Sequence, residues 1–104
     1  MNNYDWLNLI PEGWVELARE MIQKVKTIYP EFEITDLKEK YGRLVCYDTG
    51  VPAEANDIIV EYEILSARTC CICGKPATKI STGWICPYCD DCGDKDEKFY
   101  KRFK

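Results

Sequence analysis

Residues 83–93, GWICPYCDDCG, place three cysteines at two equal gaps, so either Cys86 with Cys89 or Cys89 with Cys92 forms a CxxC pair. Residues 69–75, TCCICGK, repeat the ambiguity with Cys70, Cys71 and Cys73. Two hairpin turns that each offer two thiolates suit tetrahedral zinc, which takes four soft ligands at about 2.3 Å. A glycine directly after the second cysteine lets the backbone fold back toward the metal. Cys70-x-x-Cys73-Gly74 and Cys89-x-x-Cys92-Gly93 have that form, and the fifteen residues between Cys73 and Cys89 match a two-knuckle spacing. Pairing Cys86 with Cys89 leaves only twelve and puts Asp90 where the glycine would stand. The expected ligands are therefore Cys70, Cys73, Cys89 and Cys92, with Cys86 and Cys89 as the competing second pair. Four protein ligands leave no open position for water or substrate, so the expected Zn2+ is structural, although iron can take the same ligands. Cys71 and Cys86 become spare thiols.

Working outward, the rest of the chain explains why such a staple is useful. At 104 residues it is a single domain near the lower end of what sustains its own core. Six of its seven cysteines lie between 70 and 92, which favours metal over a disulfide scaffold tying distant segments together. The opening MNNYDWLNL has neither a basic region nor a long apolar stretch, and no run approaches a membrane span, so a cytoplasmic protein without membrane partners is expected. There is no histidine, no phosphate-cradling glycine loop and no cysteine–histidine pair, so neither catalysis nor a small-molecule substrate is expected.

The pattern of apolar residues predicts an α+β fold in one compact domain. Trp14, Leu17, Ala18, Met21, Ile22, Val25, Ile28 and Tyr29 recur at helical spacing between Pro11 and Tyr29. Phe32 and Ile34 alternate with polar residues, and Leu44–Tyr47 are β-rich, which predicts an antiparallel hairpin turning at Tyr41-Gly42 with a positive φ at Gly42. Cys46 then sits on the second strand as a small buried hydrophobe. A second helix begins at Pro52 with Ala55, Ile58, Ile59, Tyr62 and Leu65 as its apolar face. Residues 1–69 thus form an α+β body, 70–93 a zinc ribbon docked on it, and 94–104 a tail or short C-terminal helix, since Asp94 and Glu97 have capping-box spacing.

Several of these stretches together resemble a known family. Gly13-Trp14 opening a helix, KEKYGRL at 38–44, Ser66–Arg68 before Cys70-x-x-Cys73-Gly74, then Gly83-Trp84 and Cys89-x-x-Cys92 are similar to small phage and prophage zinc-ribbon proteins. Those proteins have a helix, a KEKFGGLR-type hairpin, a second helix and a terminal ribbon. The resemblance spans residues 11 to 93 and implies Cys89 and Cys92 as the second ligand pair. It also implies a phage origin and a bacterial host, and it brings no particular activity. The chain departs from the pattern at Arg43, Val45 and Cys46, which alters the hairpin face.

Charge divides the functional readings. The net charge is -4, with thirteen acids against seven bases in residues 1–69 and five bases against three acids in residues 94–104. In the first reading the protein is a small acidic, zinc-stabilised module that inhibits or modulates a bacterial nucleic-acid-handling machine, anti-defence or anti-CRISPR-like and able to mimic DNA. Its partner is then a bacterial protein or ribonucleoprotein, met by Asp36, Glu39, Asp48, Glu54, Asp57, Glu61 and Glu63. In the alternative reading the ribbon and tail bind nucleic acid directly. Lys75, Lys79, Lys98, Lys101, Arg102 and Lys104 would then meet phosphate, and Trp84, Tyr88, Phe99 or Tyr100 would stack on bases.

Overall fold

Leu17, Ala18, Met21, Ile22 and Val25 line the buried side of helix α1, Val15–Ile28, in the computed structural model, which describes residues 2–83, 85–93 and 100–102. The helix starts later than the apolar spacing predicts. Glu12–Trp14 instead make a 3₁₀ turn, in which the Trp14 and Val15 N–H groups donate three residues back, to the Pro11 and Glu12 carbonyls, while the Gly13 N–H donates outward to the Cys71 carbonyl at 2.9 Å. Pro30 follows the last turn and ends it.

The hairpin consists of β1, Ile34–Lys40, and β2, Arg43–Asp48, paired antiparallel with Lys40 opposite Arg43. Both turn residues have positive φ, 52° at Tyr41 and 85° at Gly42, as a two-residue hairpin turn requires. A two-stranded sheet exposes a free backbone edge on each side, and here side chains seal both. Asn3, in a 3₁₀ helix over Asn3–Leu9, accepts from the Ile34 N–H at 2.9 Å and donates to the Phe32 carbonyl at 2.8 Å. On the other edge the Leu44 N–H donates to Ser66 Oγ at 2.7 Å and the Cys46 N–H to Glu63 Oε2 at 2.8 Å.

Ser66 and Glu63 belong to α2, Ala53–Ser66. Ala55, Ile59 and Tyr62 of its expected face are buried, but Leu65 is about half exposed and Ser66 takes the fully buried position. The reason is the edge it serves: turning Ser66 toward Leu44 rotates Leu65 outward. Val60 and Ile64 are also exposed. The core between α1, α2 and the hairpin gathers Trp14, Met21, Ile22, Leu37, Leu44 and Cys46, and it continues into the ribbon through Cys71 and Cys86.

Beyond α2, β3 (Lys79–Ser81) lies between β4 (Pro87–Tyr88) and β5 (Tyr100–Arg102), all antiparallel. Tyr100–Arg102 therefore form a strand where a tail or short terminal helix was expected. The free edge of β3 accepts them, and Tyr100 packs edge-on against Tyr88 with ring centroids 5.9 Å apart. Asp94 and Glu97, which motivated the helix, lie outside the described residues.

Candidate metal centre

Each knuckle is a tight turn closed by the same backbone bond. The Gly74 N–H donates to the Cys70 carbonyl and the Gly93 N–H to the Cys89 carbonyl, both at 3.0 Å. The two glycines serve different needs. Gly74 has φ of +82°, whereas at Gly93 a Cβ would stand 2.4 Å from Lys79 Cε, so the missing side chain there makes room for a lysine.

These turns bring the sulfurs of Cys70, Cys73, Cys89 and Cys92 within 4.8 Å of one another. Cys73 Sγ and Cys89 Sγ are 3.6 Å apart, far beyond the ~2.05 Å of a disulfide and close to the ~3.8 Å edge of a tetrahedron with 2.3 Å metal–sulfur bonds. All seven cysteines are free. The cluster can bind a metal ion. Its electrostatics suit a cation: burial pushes the Cys70 thiol up, but N–H groups of Cys73, Cys89 and Ile72 outweigh it and bring the thiol down to about 7. Cys92 is pushed up to about 12, first by its contacts with the Cys73 and Cys89 thiols. Four thiolates at this spacing repel one another until a cation sits among them.

The competing cysteine goes elsewhere. Cys86 and Cys71 are both buried, face each other and join the body core. Burial, then the neighbouring Cys86, pushes Cys71 up to about 12, which makes it a poor nucleophile. Each CxC or CxxC run is thus divided, with ligands on one side and a core thiol on the other.

Gly13 and Trp14 seat the ribbon on the body. A Cβ at Gly13 would lie 2.1 Å from the Cys70 carbonyl oxygen, so only glycine permits this approach. The fully buried Trp14 donates its indole N–H to the Thr69 carbonyl at 2.9 Å. The sequence signals this pair only as the start of a helix.

The basic residues assigned to phosphate are largely occupied. Lys79 is 2% exposed, with Nζ 4.6 Å above the Tyr100 ring, so phosphate cannot reach it. Its strand position alternates inward, and Gly93 leaves space for it. Lys75 pairs with Asp91 at 3.6 Å and Arg102 with Asp90 at 3.1 Å. The half-buried Tyr88 is pushed up to about 12 by burial and by Cys71, and its ring is engaged by Tyr100. Lys101 is exposed. Trp84, Lys98, Phe99 and Lys104 lie outside the described residues.

The seven acids are scattered over three elements. Asp36, Glu39 and Asp48 are on the hairpin, where Asp36 pairs with Lys38 at 3.2 Å, Glu39 accepts from the Gly42 N–H and Asp48 from the Gly50 N–H. Glu63 holds the Cys46 N–H. Glu54, Asp57 and Glu61 are exposed together on α2.

The fold and cluster define a small α+β protein carrying a four-cysteine ribbon able to hold a metal. No protein-family model matches the chain, and no curated protein or solved structure matches it either. No helix among the described residues is long and apolar enough to cross a membrane.

Proposed function

We propose that the protein is a zinc-stabilised, non-catalytic binding module of phage type that inhibits or modulates a bacterial nucleic-acid-handling machine by docking on its basic surface. One observation carries this reading. Glu54, Asp57 and Glu61 recur at three- and four-residue steps on α2, forming an exposed acidic stripe roughly 10 Å long, with Val60 and Ile64 uncovered beside it. Acids mixed with exposed aliphatic side chains suit a basic protein surface, where charge steers the encounter and apolar contact retains the complex. The other four candidate acids hold backbone groups or a lysine of the chain itself, so the proposed contact narrows to these three. Zinc is the metal this reading assigns, because four thiolates at tetrahedral spacing are its usual structural set, and a closed set favours binding over chemistry. The phage setting rests on the sequence motifs alone.

Bacteria carrying individual CRISPR effectors or restriction nucleases provide the test. Expressing the protein is expected to raise phage plating against at least one of them. A Glu54→Gln, Asp57→Asn, Glu61→Gln triple variant with unchanged melting temperature is expected to lose that protection about tenfold or more. Protection against none of them, or full protection by the triple variant, would count against the proposal.

A further inference from the structure

The outward face of the hairpin has a charge pattern opposite to that of the acidic body. Register stacks its side chains in three rungs: Asp36 with Tyr47, Lys38 with Val45, and Lys40 with Arg43. Lys38 reaches both neighbours, pairing with Asp36 at 3.2 Å and lying 5.5 Å over the Tyr47 ring. Lys40 and Arg43 stand directly opposite each other, and neither has a carboxylate partner among the described residues. Like charges so placed destabilise a hairpin, so folding alone does not account for them.

Tyr41, at the tip between them, adds an independent observation. Among the described residues it is the one non-glycine with positive φ, and its side chain is 77% exposed. Such turns favour Asn or Gly at this position, and an ordinary side chain there is strained. The chain therefore holds an aromatic ring in solvent against its backbone preference. Lys40, Tyr41, Arg43, Val45 and Tyr47 line an open depression of about 300 Å³. On the other side of the tip, Gly42 abuts Ile80 and Ile85, and the exposed Lys101 lines a shallow hollow with those two residues.

We propose that this face and the hairpin tip bind single-stranded nucleic acid, with Lys40, Arg43 and, across the tip, Lys101 on phosphates and Tyr41 and Tyr47 stacking on bases. Cations alone would also suit a duplex, but exposed rings need unstacked bases. Arg43 to Tyr47 spans roughly 13 Å of strand, which sets the length of the groove the single strand would follow. This surface shares no residue with the α2 stripe, so either proposal can fail without the other.

Fluorescence anisotropy of the metal-loaded protein with labelled oligothymidylate and oligouridylate, titrated with salt, reads the outcome. Three phosphate contacts predict a log–log salt slope of about -2. Lys40→Gln with Arg43→Gln is expected to remove about 1.4 of that slope. Tyr47→Ala is expected to weaken binding about tenfold or more while leaving the slope unchanged. Tyr41→Gly separates function from folding, since it should raise the melting temperature and lower affinity together. The Glu54, Asp57, Glu61 triple variant should bind the oligonucleotide as well as the parent does. Absence of binding at low salt, equal affinity for duplex, variants that bind like the parent, or preference for polyglutamate over the oligonucleotides would overturn the proposal.

Discussion

In the body, Trp14, Met21, Ile22, Leu37 and Leu44 are buried almost completely between two helices and a hairpin, whereas in the ribbon β3 and β4 have three and two residues and the buried groups are mainly thiols and Lys79. Apolar burial suffices for the first region, because each long side chain removes enough surface from water to offset its ordering. The second has too little apolar area for that, and its cysteines lie where a metal can replace it. Among the described residues the two are coupled through the Gly13 N–H to Cys71, the Trp14 indole to Thr69, the Cys71 and Cys86 thiols and Tyr88 on the body core, and the Gly42 tip against Ile80 and Ile85.

Metal removal should break this comparison most forcefully. A structural zinc site is worth on the order of 10 kcal/mol, so a chelator should abolish amide-exchange protection in β3, β4 and β5. The helical circular dichroism of α1 and α2 should largely persist. Simultaneous loss of both signals would show that the body depends on the ribbon for its own fold.

A smaller effect should follow from loosening the seat. Gly13→Ala drives a methyl group into the Cys70 carbonyl, and backbone must move because neither atom belongs to a flexible side chain. Overpacking of this kind costs about 3 kcal/mol. With metal bound, the urea midpoint should fall and exchange should rise first at Cys70–Cys73, with β1 and β2 unaffected. Unchanged stability would mean that the two regions are joined elsewhere.

The contrast also explains what sequence could reveal. Local chemistry was legible: the Tyr41-Gly42 turn, the helix opening at Pro52, the α1 stripe and the glycine-closed knuckles each follow from a few neighbouring residues. Features that depend on distant partners were not. Asn3 is buried because Phe32 and Ile34 present an open strand edge, and Ser66 displaces Leu65 because Leu44 needs an acceptor. Tyr100–Arg102 form a strand because β3 has an edge to fill, against a local pattern suggesting helix. Charge sums hid the hairpin face, since Lys38, Lys40 and Arg43 alternate along strands with residues that point inward.

Cys70 of the ribbon and Cys46 of the body have opposite electrostatic surroundings, which gives the subtlest prediction. In the ribbon, N–H groups favour thiolate at Cys70, but in the body burial, then Asp48, Glu63 and Asp36, push Cys46 from 9.0 to about 12. Cys46 is thus held neutral when folded and loses its proton near pH 9 when unfolded. Above that pH the unfolded chain binds fewer protons, so stability contributed by the neutral thiol is complete below pH 9 and declines until the folded thiol also ionises near 12. One group changes unfolding free energy by at most about 1.4 kcal/mol per pH unit. Cys46→Val preserves a small apolar side chain without the proton. Its urea midpoint should therefore fall less steeply than the parent's between pH 9 and 11, while the two track each other between pH 6 and 8. Parallel curves throughout would show that Cys46 is solvated well enough to ionise in place, and that the body core is less closed at β2 than its burial indicates.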